Sequence, residues 1–236
     1  MKTPPLGYFV AGDIFCSSYR LDAMILYHFP TSPFARRVRL TLALKGLSAE
    51  LRDARAVPAH RDDVQRLNPL HTVPVLVDDE RAIPDSNAIC QYLDRKVPTP
   101  PLWPTGLAGA EAFELAALTD GVINVLSDLG MRYYSLHQDP NFGAVRETMV
   151  GRAQRSLDLL AQKITAKGRS SALCGETWSA ADIALYTMVA WLEGIPRRAA
   201  AFVPAAQVAG LGWSLPGVLS EWADQHRQRE DVVALG

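Results

Sequence analysis

The sequence predicts an α/β domain of order β-α-β-α-β-β-α followed by an all-α helical bundle domain. Three observations carry this. Between Met24 and Val97, short apolar runs alternate with amphipathic helical patterns. Pro98, Pro100, Pro101 and Pro104 then fall within ten positions, which neither a helix nor a central strand can absorb. Beyond them the apolar residues recur at helical spacing. The resulting division is a disordered extension at 1–23, the α/β domain at 24–97, a proline-rich linker at 98–106 and the helical domain at 107–236.

Residues 1–23 show no sustained periodicity, with Pro4, Pro5, Gly7, Gly12 and paired serines interrupting every pattern. Met24-Ile-Leu-Tyr-His-Phe is an apolar, aromatic run that reads as a buried strand. After it, Phe34, Val38 and Leu42 recur every four residues and set a helix that Gly46 closes. Ser32 is its natural N-cap, and Pro33 suits its first turn because the missing N–H would be unpaired there anyway. Arg36, Arg37 and Arg39 lie mostly off the apolar face and read as a solvated surface, with Arg36 free to help position an anion.

A weak strand around Leu51 and a short helix at Val64–Leu67 follow. The run from Val73 to Val77, the turn at Asp78-Asp79-Glu80 and a short strand at Ala82-Ile83 form a hairpin. Asp85 and Ser86 cap a helix that runs to about Lys96. Past the linker, one helix is expected from Ala110 to Leu136 and another through Val145, Met149, Ala153, Leu157, Leu160 and Ile164. Ser179-Ala180-Ala181-Asp182 is a capping-box-like start with a structural role, and a last helix runs from Pro216 to about Arg229.

Composition narrows the function classes. With 24 Lys plus Arg against 25 Asp plus Glu, the net charge of −1 gives no global field to attract nucleic acid or anionic lipid, so neither is expected as a partner. A share of 48% hydrophobic and 21% charged residues is that of an ordinary globular chain, and no run approaches the length of a membrane span. Cys16, Cys90 and Cys174 are widely spaced and form no Cys-x-x-Cys pair or zinc-type cluster, so no metal is expected and a cytoplasmic location fits. Cys90, beside Ile89 and Leu93, reads as a buried apolar thiol.

Three motifs converge in the first domain: Ser32-Pro33-Phe34-Ala35-Arg36, Asn68-Pro69-Leu70-His71-Thr72-Val73-Pro74-Val75-Leu76 and Asp85-Ser86-Asn87-Ala88-Ile89. In order and spacing they resemble the N-terminal signature of the glutathione transferase family. The linker, the Ser179–Asp182 box and the tryptophan-bearing last helix are similar to that family's helical domain, so the resemblance runs from about Met24 to Arg229. It implies a thioredoxin-like first domain, glutathione as co-substrate, a homodimer, and detoxification chemistry on a small hydrophobic electrophile.

Residue by residue, the resemblance to the serine-type members makes Ser32 the hydroxyl that donates to the glutathione thiolate, with Thr31 as substitute. In glutaredoxins the corresponding stretch carries two thiols; here both are absent, so the thiol has to come from glutathione. The resemblance makes Pro74 a cis-proline that lets Val73 pair with glutathione's cysteinyl backbone as an added strand. Asp85 would meet the γ-glutamyl ammonium, and Ser86 with the first amides of its helix would meet the γ-glutamyl carboxylate. His71 would meet the glycine carboxylate. Phe34, Arg132 and Tyr133 are candidates for the second-substrate pocket, with Tyr134 beside them; such aromatics serve equally as core. Asp85 stands where relatives often carry Glu or Gln, and Asn87 where they often carry Arg. The enzyme reading has two alternatives: a non-catalytic binding or regulatory protein on the same fold, or a glutathione-dependent peroxidase or disulfide reductase.

Overall fold

Alternation within one short strand sets the layering. In β1 (Met24–His28) every residue is buried; Met24 and Leu26 join the large apolar cluster on one side of the sheet, and Ile25 and Tyr27 join a smaller cluster on the other. In the computed structural model, which describes residues 24–136, 138–168, 172–199 and 212–228, β1 is followed by α1 (Pro33–Leu44), β2 (Ala49–Asp53), α2 (Pro58–Leu67), β3 (Val75–Asp78), β4 (Arg81–Pro84) and α3 (Ser86–Lys96). The β-α-β-α-β-β-α order is as the sequence predicts. The expected extension at 1–23, including Cys16, and the expected end of the last helix at Arg229 lie outside the described residues.

The sheet runs β2-β1-β3-β4. β1 and β2 are parallel in the register Met24 to Ala49, whereas β1–β3 and β3–β4 are antiparallel. The hairpin is slightly shifted from expectation: Val73 and Pro74 precede the strand, and Asp78 pairs with Arg81, so the turn is Asp79-Glu80. The helix α2 starts at Pro58 and not at Val64, because Pro58 in its first turn initiates it while Val64 is its only buried residue.

The apolar spacing of α1 hides a second pattern. Arg37, Thr41 and Lys45 recur every four residues and are 2%, 0% and 6% exposed, so the expectation of a solvated arginine face fails at Arg37. They meet Ser86/Asn87, Cys90 and Asp94, the matching four-residue stripe of α3: Arg37 on Ser86 and Asn87, the Thr41 hydroxyl 3.1 Å from the Cys90 sulfur, and Lys45 on Asp94 at 2.6 Å. Two parallel helices thus pack through a buried polar seam whose charges are paired, the condition for burying them at all. Burial pushes the Cys90 thiol up to about 11, in keeping with an inert, packed cysteine.

Among the described residues the second domain holds α4 (Leu107–Leu136), α5 (Phe142–Lys167), α6 (Ala180–Ala199) and α7 (Gly217–His226). Its core centres on Trp178, Tyr186 and Trp222, and continues into the first domain through Val38, Leu42 and Ile89. The Ser179 box forms, and its carboxylate carries it. Asp182 Oδ2 accepts from Ser179 N at 2.8 Å and Ser179 Oγ at 2.6 Å, while Oδ1 reaches back to accept from Leu173 N at 2.8 Å.

The proline-rich segment between α3 and α4 is docked. Lys45 donates to Pro100 O, Asp94 accepts from Leu102 N at 2.9 Å, and Leu102, fully buried, accepts from Ala180 N through its carbonyl at 2.8 Å. Farther along, Pro104 O lies 2.0 Å from where a Cβ on Gly109 would sit, so only glycine admits the segment against α4.

Candidate functional site

The β1–α1 corner places Ser32. Its backbone is extended (φ −73°, ψ 124°), its N–H donates to Phe29 O at 3.0 Å, and its Oγ accepts from Ala35 N at 3.2 Å as the N-cap of α1. The side chain is half-buried. A hydroxyl that caps a helix spends a lone pair and keeps its hydrogen, so capping and donating to an anion are compatible. Thr31 next door is exposed, with Arg55 Nη1 at 3.5 Å from its Oγ1.

The corner is braced from the sheet. His28, 7% exposed at the end of β1, takes Arg39 Nη1 on its Nδ1 at 2.9 Å, and Arg39 Nη2 donates to Pro30 O at 3.2 Å. Accepting from a guanidinium requires a neutral ring. Burial, and then the Arg39 charge, hold His28 below the usual histidine range, with Asp53 opposing. A depressed folded-state value means that the unfolded chain takes up this proton first; the contribution is present above about pH 6.5 and is lost as pH falls through the folded value. We therefore expect the melting temperature to fall between pH 7.5 and pH 5, and His28→Gln to flatten that slope; parallel slopes in wild type and variant would exclude His28 as the cause.

The second wall is the loop before β3. Asn68, 2% exposed, organises it: Nδ2 donates to Thr72 O at 2.8 Å and Thr72 Oγ1 at 3.0 Å, and Oδ1 accepts from Leu70 N at 3.0 Å. This fixes His71 at a positive φ of 53° with its side chain exposed. The Val73–Pro74 bond is cis, and Val73 lies just outside the β3–β4 ladder, which begins at Val75.

The third wall is the start of α3. Asp85 holds a φ of 74° and caps the helix, its Oδ1 accepting from Asn87 N at 2.9 Å and Ala88 N at 3.0 Å. The cap thus occupies two amides that the sequence reading assigned to a ligand carboxylate, leaving the Ser86 amide and hydroxyl as the donors a ligand would meet first. Ser86 is itself 3% exposed. Behind it lies a network that sequence reasoning missed. Arg37 forms a bidentate ion pair with Asp120 of α4, one arm at 3.0 Å, and the same Nη1 donates to Asn87 Oδ1 at 2.8 Å and lies 3.4 Å from Ser86 Oγ. Asn87 Nδ2 closes the ring onto Asp120 at 2.7 Å. The available signal was the four-residue recurrence of polar residues in α1 and α3.

Phe34 is half-buried against the core, with the Arg37 guanidinium 5.7 Å from its ring centre. Arg36 faces α6, over the Tyr186 ring at 5.6 Å. Arg132 and Tyr133 lie about 18 Å or more along α4 from Asp120, at 1.5 Å per residue. Arg132 pairs with Asp128 at 2.8 Å and lines an open groove with Val125, Val145 and Met149, while Tyr133 meets Phe142 edge-on at 5.9 Å. The side chain of Tyr134 lies outside the described residues. Among the described residues no cluster of three or more metal-ligating side chains occurs, and no helix is long and apolar enough to cross a membrane.

Comparison with known proteins gives a consistent picture. A family model described as the glutathione S-transferase N-terminal domain matches residues 26–101, and one described as the C-terminal domain matches residues 143–224. Glutathione S-transferase Z1 of Arabidopsis thaliana is 45% identical over 88 residues, which is 36% of this chain and 40% of that protein. A stringent starvation protein A homolog of Coxiella burnetii is 37% identical over 81 residues, 34% of this chain and 38% of that homolog. The chain thus spans about two fifths of the length of these curated relatives. Among solved structures, a glutathione S-transferase from Methylobacillus flagellatus KT with GSH bound is similar over 91% of this chain and 99% of that one, at 25% identity and a TM-score of 0.72.

Proposed function

For a chain that belongs to the glutathione S-transferase family, we propose the activity of a glutathione transferase acting on a small apolar electrophile. The carrying observation is Ser32: it stands at the end of β1 as the N-cap of α1, half-buried, with its hydroxyl hydrogen left to donate. In this reading glutathione lies extended along Val73, its γ-glutamyl end over Asp85 and Ser86, its glycine carboxylate near His71 and its sulfur at Ser32. The helix N-terminus and the Ser32 hydroxyl stabilise the thiolate. The thiolate sulfur attacks an electrophilic carbon; a C–S bond forms, and the leaving group departs with the electron pair of the bond that breaks. The relative solved with GSH bound supports glutathione as the ligand. Phe34, at the α1 side of the site, is the candidate contact for the electrophile.

Steady-state assays with glutathione and a chlorinated aromatic, a hydroperoxide or a mixed disulfide test this. Turnover of the aromatic supports transfer; turnover of the peroxide or disulfide alone moves the reading to peroxidase or reductase. The likeness to a stringent starvation protein A homolog favours a second reading, a non-catalytic binding protein on this fold. Titration of the protein with glutathione, showing neither heat nor turnover, would select it. A homodimer in the cytoplasm completes the proposal; sedimentation showing only a 25.8 kDa species would remove the dimer.

Asp85 separates binding from chemistry. Asp85→Asn keeps a side-chain oxygen for the cap and tolerates the positive φ, so it removes chiefly the charge that meets the γ-glutamyl ammonium. We expect KM for glutathione to rise about tenfold, as loss of one charge-assisted hydrogen bond implies, with kcat nearly unchanged. An unchanged KM with a collapsed kcat would place Asp85 in the chemistry instead.

A further inference from the structure

We propose that Arg37 is a positioning residue for the γ-glutamyl subsite, and that Asp120 gives the second domain control of that subsite's geometry. This rests on the reading of Ser86 as a glutathione contact. The first turn of α3 is pinned from two directions. Asp85 holds the Asn87 and Ala88 amides from outside, while the Arg37–Asp120 pair holds the Asn87 side chain at 2.8 and 2.7 Å from inside. Arg37 also sets the sense of the Ser86 hydroxyl. Both Nη1 hydrogens are committed to Asn87 and Asp120, but the cation 3.4 Å from the Ser86 oxygen still favours the orientation in which that oxygen faces it and the hydroxyl hydrogen turns away. A serine held in this way is a donor, which is what a carboxylate requires.

The charge balance explains why the arrangement needs both domains. Arg37 is 2% exposed and would be costly to bury alone; Asp120, contributed by α4, neutralises it through two parallel hydrogen bonds. Removing either partner singly would leave a buried charge and confuse folding with function. The informative variant removes both: Arg37→Met with Asp120→Leu replaces the ion pair by apolar groups of similar size, an exchange that is often neutral for stability.

Titration calorimetry with glutathione on the wild type and the variants reads the outcome. The double variant is expected to melt within a few degrees of wild type, to bind glutathione about tenfold more weakly, and to keep kcat at saturating glutathione. Ser86→Ala should weaken binding in the wild type but add little in the double variant, because the serine there is no longer held as a donor. A second variant, Asn87→Ala, removes the bridge while leaving the ion pair, and is expected to weaken binding about threefold with an unchanged melting temperature. Wild-type affinity in a folded double variant, or in Asn87→Ala, would overturn the inference, as would a fully additive Ser86→Ala effect. A wild type that does not bind glutathione would overturn the functional reading itself, and the inference with it.

Discussion

Replacing Ser32 by alanine is expected to leave glutathione affinity within a few-fold while kcat at pH 7 falls by at least tenfold and recovers as pH rises. A free thiol near pKa ~8.5 is about 3% ionised at pH 7; a site that lowers it by ~2 units makes roughly three quarters thiolate, a differential stabilisation of ~2.7 kcal/mol. One charge-assisted hydrogen bond, at ~1.5–3 kcal/mol, supplies most of that, and the N-terminus of α1 adds ~0.3–1 kcal/mol. The hydroxyl therefore outweighs the helix, and its loss raises the pKa of the bound thiol. Because Ser32 also caps α1 through Ala35 N, the same variant should lose about 1 kcal/mol of stability. Ultraviolet absorbance of the thiolate, titrated in both proteins, separates the two effects. Superimposed titrations would reduce Ser32 to a cap and move the sulfur contact to Thr31 or to a backbone N–H.

The largest loss of stability is expected at a residue remote from that chemistry. Asp182 is fully buried and accepts from Leu173 N, Ser179 N and Ser179 Oγ, so its two oxygens tie the start of α6 to the chain before it. Burial raises its carboxyl above the usual range, and the three donors oppose this. Asp182→Ala strands two buried amides and a hydroxyl at about 1–3 kcal/mol each, partly relieved by water, for a total of about 3–5 kcal/mol. In a chain of 236 residues that corresponds to a fall in melting temperature of about 10 °C. Differential scanning calorimetry checks it. A shift of only one or two degrees would mean that the Leu173 and Ser179 donors find other partners.

How much of this could be read from the chain depends on whether the signal is local. Ser32-Pro33 announces a helix start because capping and proline geometry are properties of adjacent residues, and the structure places the cap there. The hairpin and the Asp85–Ser86 helix start were legible for the same reason. Arg37 was not. An arginine outside an apolar stripe is ordinarily solvated, and only the arrival of Asp120 from α4, 83 positions away, makes it a buried residue. Asn68 was visible as part of a motif, yet its three hydrogen bonds to Leu70 and Thr72 are a property of the folded turn. Arg132 and Tyr133 share a helix with Asp120, and their contacts with Asp128 and Phe142 are likewise visible only in the fold.

The prolines at 98–106 bear on how such a chain can be recombined. Lys45 and Asp94 hold this segment from the first domain, while Ala180 and Gly109 receive it in the second. A gene fusion that joins residues 24–106 to a foreign helical domain would part Leu102 from Ala180 and Arg37 from Asp120 in one cut. The exchangeable unit is therefore the two domains with their connector, because a change on one side of the junction meets its hydrogen-bond partners on the other.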